Sequence, residues 1–168
     1  MDSILEHSAC GRSDDIDDLQ LDALLGEVCH FLGANIEKKG AEITSDDLPT
    51  IRASNGLIFQ LLLNLIGNSL KYVRPNARPQ IHIAHERDEN WVKIGVRDNG
   101  VGMSEDDLKL VQQPLMRGAS SEGTEGVGLG LSLAKNIIEE LAGELRIESE
   151  LGQGTCVWLN FPHQILSP

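Results

Sequence analysis

Three things are scarce in this sequence. Positive charge is the first: 14 lysines and arginines stand against 26 aspartates and glutamates, a formal net charge of −12. A field of that sign repels phosphate backbones and anionic headgroups, which excludes nucleic acid and direct membrane contact, and leaves any phosphate ligand to be held by local groups. Cysteine is the second. Cys10, Cys29 and Cys156 are scattered, odd in number and without C-x-x-C or zinc spacing, so neither a disulfide framework nor a zinc site is expected. Long apolar runs are the third. None reaches membrane-spanning length, and 1-MDSILEHSACGR-12 has neither the basic end nor the apolar centre of a signal peptide. The expectation is a soluble chain in the reduced cytoplasm, whose parent protein can still be membrane-anchored.

What is present suffices for one core: 168 residues with 40% hydrophobic content. Residues 1–12 read as the end of a helix that stops at Gly11 before the acidic 13-SDDIDD-18, so residues 1–18 are expected to be a remnant of something longer and residues 19–168 the domain proper. Leu21, Leu24, Leu25, Val28, Leu32 and Ile36 recur at helical spacing, predicting one amphipathic helix up to Lys39 with Gly40 as its stop. Short alternating segments, 41-AEITSDDLP-49 and 50-TIRAS-54, predict strands around a turn. Asn55 opens a long helix to about Val73. Next, 80-QIHIAHER-87 and 91-WVKIGVRD-98 predict a hairpin that delivers Asp98 at its end. Ser104 with Asp107 starts another helix in the manner of a capping box. Residues 113–127 are aperiodic and rich in Gly, Ser, Thr and Glu, the composition of a mobile loop. A helix from Gly128, closing at Gly143, and a terminal hairpin about Gly152 complete the chain. This order predicts an α/β fold of two layers, with helices on one face of a largely antiparallel sheet.

Chemistry concentrates in three places. On the long helix, Gln60, Asn64, Asn68 and Lys71 fall at i, i+4, i+8 and i+11, a polar stripe beside the apolar face of Ile58, Leu61, Leu62, Leu65 and Ile66. An ordinary solvated stripe favours Glu, Lys and Arg; carboxamides one turn apart suit a hydrated magnesium and phosphate oxygens. In 98-DNGVGM-103 a strand-end aspartate can accept a hydrogen bond from a base's exocyclic amine while Gly100 and Gly102 let the base approach the backbone, which selects a base such as adenine. In 126-GVGLGL-131, Gly126, Gly128 and Gly130 lead into a helix whose first N–H groups can hold phosphates. Each cluster alone could be a tight turn; the three together, in this order, could not easily be.

Together these motifs resemble the ATP-binding catalytic domain of sensor histidine kinases, in the superfamily shared with gyrase-type ATPases, over roughly residues 20–162. The asparagine box matches 64-NLIGNSLKY-72 and the two glycine boxes match 98-DNGVGM-103 and 126-GVGLGL-131. The resemblance implies an ATP-binding α/β sandwich with about three helices on the sheet and a flexible ATP lid at about residues 110–127. It implies that Asn68 and Asn64 serve magnesium, Lys71 the phosphates, Tyr72 the adenine face and Asp98 the adenine amine, with Gly100, Gly102, Gly126, Gly128, Gly130 and Leu131 completing the nucleotide site. Arg117 is the candidate that reaches the terminal phosphate from the lid. The implied partners are the dimerisation and phosphoacceptor domain of a homodimeric parent and a downstream response regulator, with this chain itself monomeric.

Two departures from the family pattern stand out. The aromatic box before the lid reads 111-VQQPLMR-117, with Val111 and Leu115 in place of both aromatics. No histidine stands in an acceptor motif: His7, His30, His82, His85 and His163 all lie in other contexts. A gyrase-type hydrolase needs a general-base glutamate where this chain has Asn64, and a neutral amide takes no proton at neutral pH. A degenerate ATP-binding regulatory module and a serine-phosphorylating kinase of the anti-sigma type are the alternatives to the histidine kinase.

Overall fold

The leucine and isoleucine spacing does fold into helices, and the alternating segments into strands. A computed structural model of the chain describes residues 15–112 and 128–168. In chain order these form β1 (Ile16–Gln20), α1 (Leu21–Phe31), α2 (Gly33–Lys39), β2 (Glu42–Ser45), β3 (Thr50–Ser54), α3 (Asn55–Lys71), β4 (Gln80–Arg87), β5 (Trp91–Asp98), α4 (Glu105–Gln112), α5 (Gly128–Glu140), β6 (Glu144–Glu150) and β7 (Gly154–Pro162), followed by a single 3-10 turn. Among the described residues no helix is long and apolar enough to cross a membrane.

Five strands form one mixed sheet in the order β2-β4-β5-β7-β6, antiparallel except for the parallel β2–β4 pair. Because side chains alternate along a strand, Ile81 and Ile83, Ile94 and Val96, and Val157, Leu159 and Phe161 all face one side. There they share a core with Leu24 and Val28 of α1, Leu61, Leu65 and Ile66 of α3, and Ala134 and Ile138 of α5. Five helices are described, and the three longest supply all the buried helical side chains among them; α2 and α4 are short and supply none. On the opposite face Trp158 lies over Gly95, where an added Cβ would stand 2.7 Å from the indole ring.

Two expectations are corrected. The helix predicted over residues 21–39 is broken at Leu32, whose ψ of 2° departs from the helix, and Gly33, a poor helix former, begins α2. The segments 41–49 and 50–54 do not pair around a turn. They diverge: β2 runs parallel to β4, while β3 pairs antiparallel with β1 and forms a separate two-stranded ribbon. The strand β1 was hidden because its sequence, IDDLQ, buries Leu19 alone and so shows no alternation. It runs across the boundary expected between residues 18 and 19.

Candidate nucleotide site

Asp98 ends β5 on the same face as Ile94 and Val96, so its carboxylate points at the helical layer. Three donors meet it there. Ser69 on α3 donates its hydroxyl to Oδ2 at 2.9 Å, and the N–H groups of Gly100 and Thr155 donate to Oδ1 at 2.8 and 3.1 Å. Thr155 arrives through sheet register, since Arg97 opposes Cys156 and the next pair outward is Asp98 and Thr155. The terminal hairpin therefore builds one wall of the site.

The first glycine cluster is a backbone stitch. Val101 donates its N–H to the Tyr72 carbonyl at 3.0 Å, closing the end of α3 onto the loop, and a Cβ on Gly100 would collide with that same carbonyl. Gly102 has φ of +67° and packs against the Glu150 carbonyl, so both space and backbone conformation require glycine there. Gly152 donates to the Val101 carbonyl at 2.7 Å, and Met103 donates to Ser149 Oγ at 2.9 Å. Asn99 clips the loop to the start of β4, accepting from Gln80 N at 2.9 Å and donating to the Arg78 carbonyl at 3.0 Å.

The second cluster meets the asparagine stripe. Asn64 Nδ2 donates to the Gly130 carbonyl at 2.6 Å. A Cβ on Gly130 would stand 2.6 Å from Asn68 Nδ2 and 3.2 Å from Asn64 Oδ1. Glycine at 130 thus makes room for two carboxamides, a reason the sequence reading did not supply. The Asn68 carboxamide has no hydrogen-bond partner among the described residues. Lys71 is exposed at the end of α3, its Nζ 5.2 Å from the centre of the Tyr72 ring.

A cavity of about 160 Å³ lies between these parts, with Asn68, Ser69, Tyr72, Asp98 and Thr155 around a largely apolar wall that includes Leu65, Val96 and Leu131. Of the residues expected from the sequence, Asn68, Tyr72, Asp98, Gly102 and Leu131 line it; Gly100 and Gly130 shape its edges, Gly128 opens α5 and Asn64 braces that helix. Arg117, Gly126 and the loop expected at residues 113–127 lie outside the described residues, whereas residues 110–112 belong to α4. Ser69 and Thr155 were missed. Ser69 had a signal, a lone hydroxyl on the buried side of α3, and such a group needs a partner. Burial pushes the Cys156 thiol up, as it does that of Cys29, and Cys10 lies outside the described residues.

Comparison with known proteins agrees with this fold. Residues 53–165 match the family model described as histidine kinase-, DNA gyrase B-, and HSP90-like ATPase. Over 84% of its length the chain is 37% identical to cyanobacterial phytochrome A of Nostoc sp., and over 86% it is 32% identical to the adaptive-response sensory kinase SasA of Gloeothece citriformis. It spans only 18% of the first protein and 37% of the second. The catalytic domain of the histidine kinase ThkA superposes with a TM-score of 0.69 at 22% identity, covering 88% of this chain and 95% of that one. Full-length ShkA, solved in complex with AMPPNP, superposes with a TM-score of 0.72 at 24% identity over 94% of this chain and 33% of its own. The chain belongs to the family of histidine kinase-, DNA gyrase B- and HSP90-like ATPases.

Proposed function

We propose that this chain is the ATP- and magnesium-binding catalytic domain of a two-component sensor histidine kinase, which presents the γ-phosphoryl group of ATP to a histidine on a separate dimerisation domain. The observation that carries the reading is the shared cavity of Asp98 and Asn68. An acceptor-only carboxylate held by three donors suits an adenine amine, and a carboxamide without a partner among the described residues suits a metal-bound phosphate. Magnesium held through nucleotide phosphates needs only one or two protein oxygens, and Asn68 Oδ1 offers one. When bound, the ion neutralises charge on the β- and γ-phosphates. Tyr72 covers the base, Lys71 reaches the phosphates, and the start of α5 at Gly128 and Gly130 offers N–H groups to them. Arg117 and Gly126 are assigned to the terminal phosphate and the lid on the sequence motif alone.

Phosphoryl transfer needs positioning and charge neutralisation rather than a covalent intermediate on this domain. The acceptor imidazole nitrogen attacks the γ-phosphorus and ADP leaves. Hydrolysis is expected to be slow, because the place of a gyrase-type base is held by Asn64. The relatives named as sensory kinases favour this reading over the regulatory module. The proposed partners are therefore a dimeric phosphoacceptor domain and a response regulator, in the cytoplasm.

The test uses labelled ATP. Alone, the chain should acquire no stable phosphate and turn over ATP slowly; with a dimerisation domain from its parent it should yield an acid-labile, alkali-stable phosphate, as phosphohistidine is. Because tethering supplies much of the rate, transfer between separate chains should be slow and concentration-dependent. Stable labelling or brisk hydrolysis by the chain alone would overturn the proposal.

A further inference from the structure

Asn64 and Asn68 stand one turn apart on α3 and look interchangeable in the sequence, yet their surroundings differ. The Asn64 amide nitrogen is spent on the Gly130 carbonyl at 2.6 Å. Its orientation is chemically forced: a carbonyl can only accept, so the nitrogen and not the oxygen must face it. The Asn68 carboxamide lies beside the same glycine but has no hydrogen-bond partner among the described residues. Deeper in the same helix pair, Leu61 and Leu65 of α3 share the core with Ala134 and Ile138 of α5. Asn64 thus fastens, through a hydrogen bond, a helix contact that is apolar at Leu61, Leu65, Ala134 and Ile138.

We infer that Asn64 is a positioning residue rather than a metal ligand: it clamps the first turn of α5 onto α3, and so places the backbone that receives the phosphates. The inference rests on the ATP- and magnesium-binding reading above. It also accounts for glycine at 130, since an added Cβ would stand 2.6 Å from the Asn68 amide nitrogen and 3.2 Å from Asn64 Oδ1 and would displace the asparagine pair. The two asparagines then divide the work, with Asn68 acting through the metal and Asn64 through the helix.

Asn64→Asp separates the roles because it acts oppositely on them. An aspartate is a better magnesium ligand than a carboxamide, but it has no N–H and sets a negative charge against the Gly130 carbonyl. Asn64→Ala removes the donor without adding charge, which keeps the test readable if the aspartate variant folds poorly. ATP affinity would be measured by calorimetry with excess magnesium and with EDTA, and amide exchange at residues 132–136 in the nucleotide-free protein. As a clamp, Asn64 should lose about threefold to tenfold in affinity on either substitution, by the same factor with and without magnesium, while exchange in the first turns of α5 accelerates. Asn68→Ala should instead abolish the difference between magnesium and EDTA and leave that exchange unchanged. An Asn64→Asp protein with intact or tighter magnesium-dependent binding and unaltered α5 exchange would overturn the clamp. Failure of the unmodified chain to bind ATP at all would strike the functional reading instead, and the exchange measurement would still judge the clamp.

Discussion

The Ser69 hydroxyl lies 2.9 Å from Asp98 Oδ2 and 3.2 Å from the Leu65 carbonyl. It has one proton to give, and the charged acceptor at the shorter distance takes it. Ser69 is 5% exposed, so its tie to Asp98 is shielded from solvent. Ser69→Ala should leave the carboxylate held through Oδ1 alone, by its two backbone donors, with Oδ2 no longer fixed. We expect ATP affinity to fall by about 1–2 kcal/mol, with a comparable loss of unfolding free energy, since hydrogen bonds to charged groups contribute about 1.5–3 kcal/mol. Calorimetry and denaturant unfolding would show it; unchanged ATP affinity would mean that Ser69 serves packing alone.

A second prediction concerns acid stability. Asp88 closes the β4–β5 turn: Oδ1 accepts from the N–H groups of Asn90 and Trp91 at 2.9 and 2.8 Å, and Oδ2 pairs with Lys93 Nζ at 2.8 Å. The Lys93 ammonium first, then the two N–H groups, hold this carboxyl at about 2, below its ordinary 3.8. A carboxyl depressed in the folded state contributes stability that is complete above about pH 4 and is lost as pH falls towards about 2. Asp88→Asn should remove that part of the pH dependence, so the stabilities of the two proteins should converge as pH falls through this window. Parallel curves in denaturant titrations from neutral to acid pH would refute the assignment.

A third concerns the end of α5. Ala142 is exposed, has φ of +57°, and donates to the Glu139 carbonyl at 3.0 Å, while Gly143 donates to the Ile138 carbonyl at 2.9 Å. That is the Schellman pattern with alanine in the left-handed position where glycine is favoured. Ala142→Gly should therefore stabilise the protein by about 1 kcal/mol, raising Tm by roughly 2–4 °C in a chain of this size. A lower Tm would mean that the helix end rearranges.

The sequence announced Gly143 as the helix stop, and the structure places the left-handed residue one earlier; Gly143 is needed instead because a Cβ would stand 2.6 Å from the Asn160 carbonyl. That difference shows where sequence reading succeeds and where it stops. The β4–β5 hairpin, the placement of Asp98 at a strand end and the stripe on α3 were legible because each rests on local periodicity. The strand β1 was not, because aspartates on an exposed ribbon carry no alternation, and neither was the separation of β2 from β3, which depends on that unseen partner. Thr155 was illegible for a related reason. Its role follows from the register of β5 on β7, which joins residues 57 positions apart.

The last prediction concerns the choice of base. A carboxylate has about four acceptor positions, and three on Asp98 are taken by Ser69, Gly100 and Thr155. What remains faces the cavity and can only accept, so the ligand edge opposite it must carry an N–H. Adenine places its exocyclic amine there; guanine in the same pose places a carbonyl oxygen, which sets two acceptors against each other and leaves the fourth position of the carboxylate unpaired. Leaving such a group unsatisfied costs about 1–3 kcal/mol or more, so GTP should bind at least roughly tenfold more weakly than ATP. Asp98→Asn should weaken ATP by a similar amount and narrow the preference, because an amide can turn a donor towards the guanine oxygen. Calorimetry with both nucleotides on both proteins separates these effects. Equal affinity of the unmodified protein for ATP and GTP would show that Asp98 does not read the base, and an unchanged preference in the variant would move that role to another residue in the cavity.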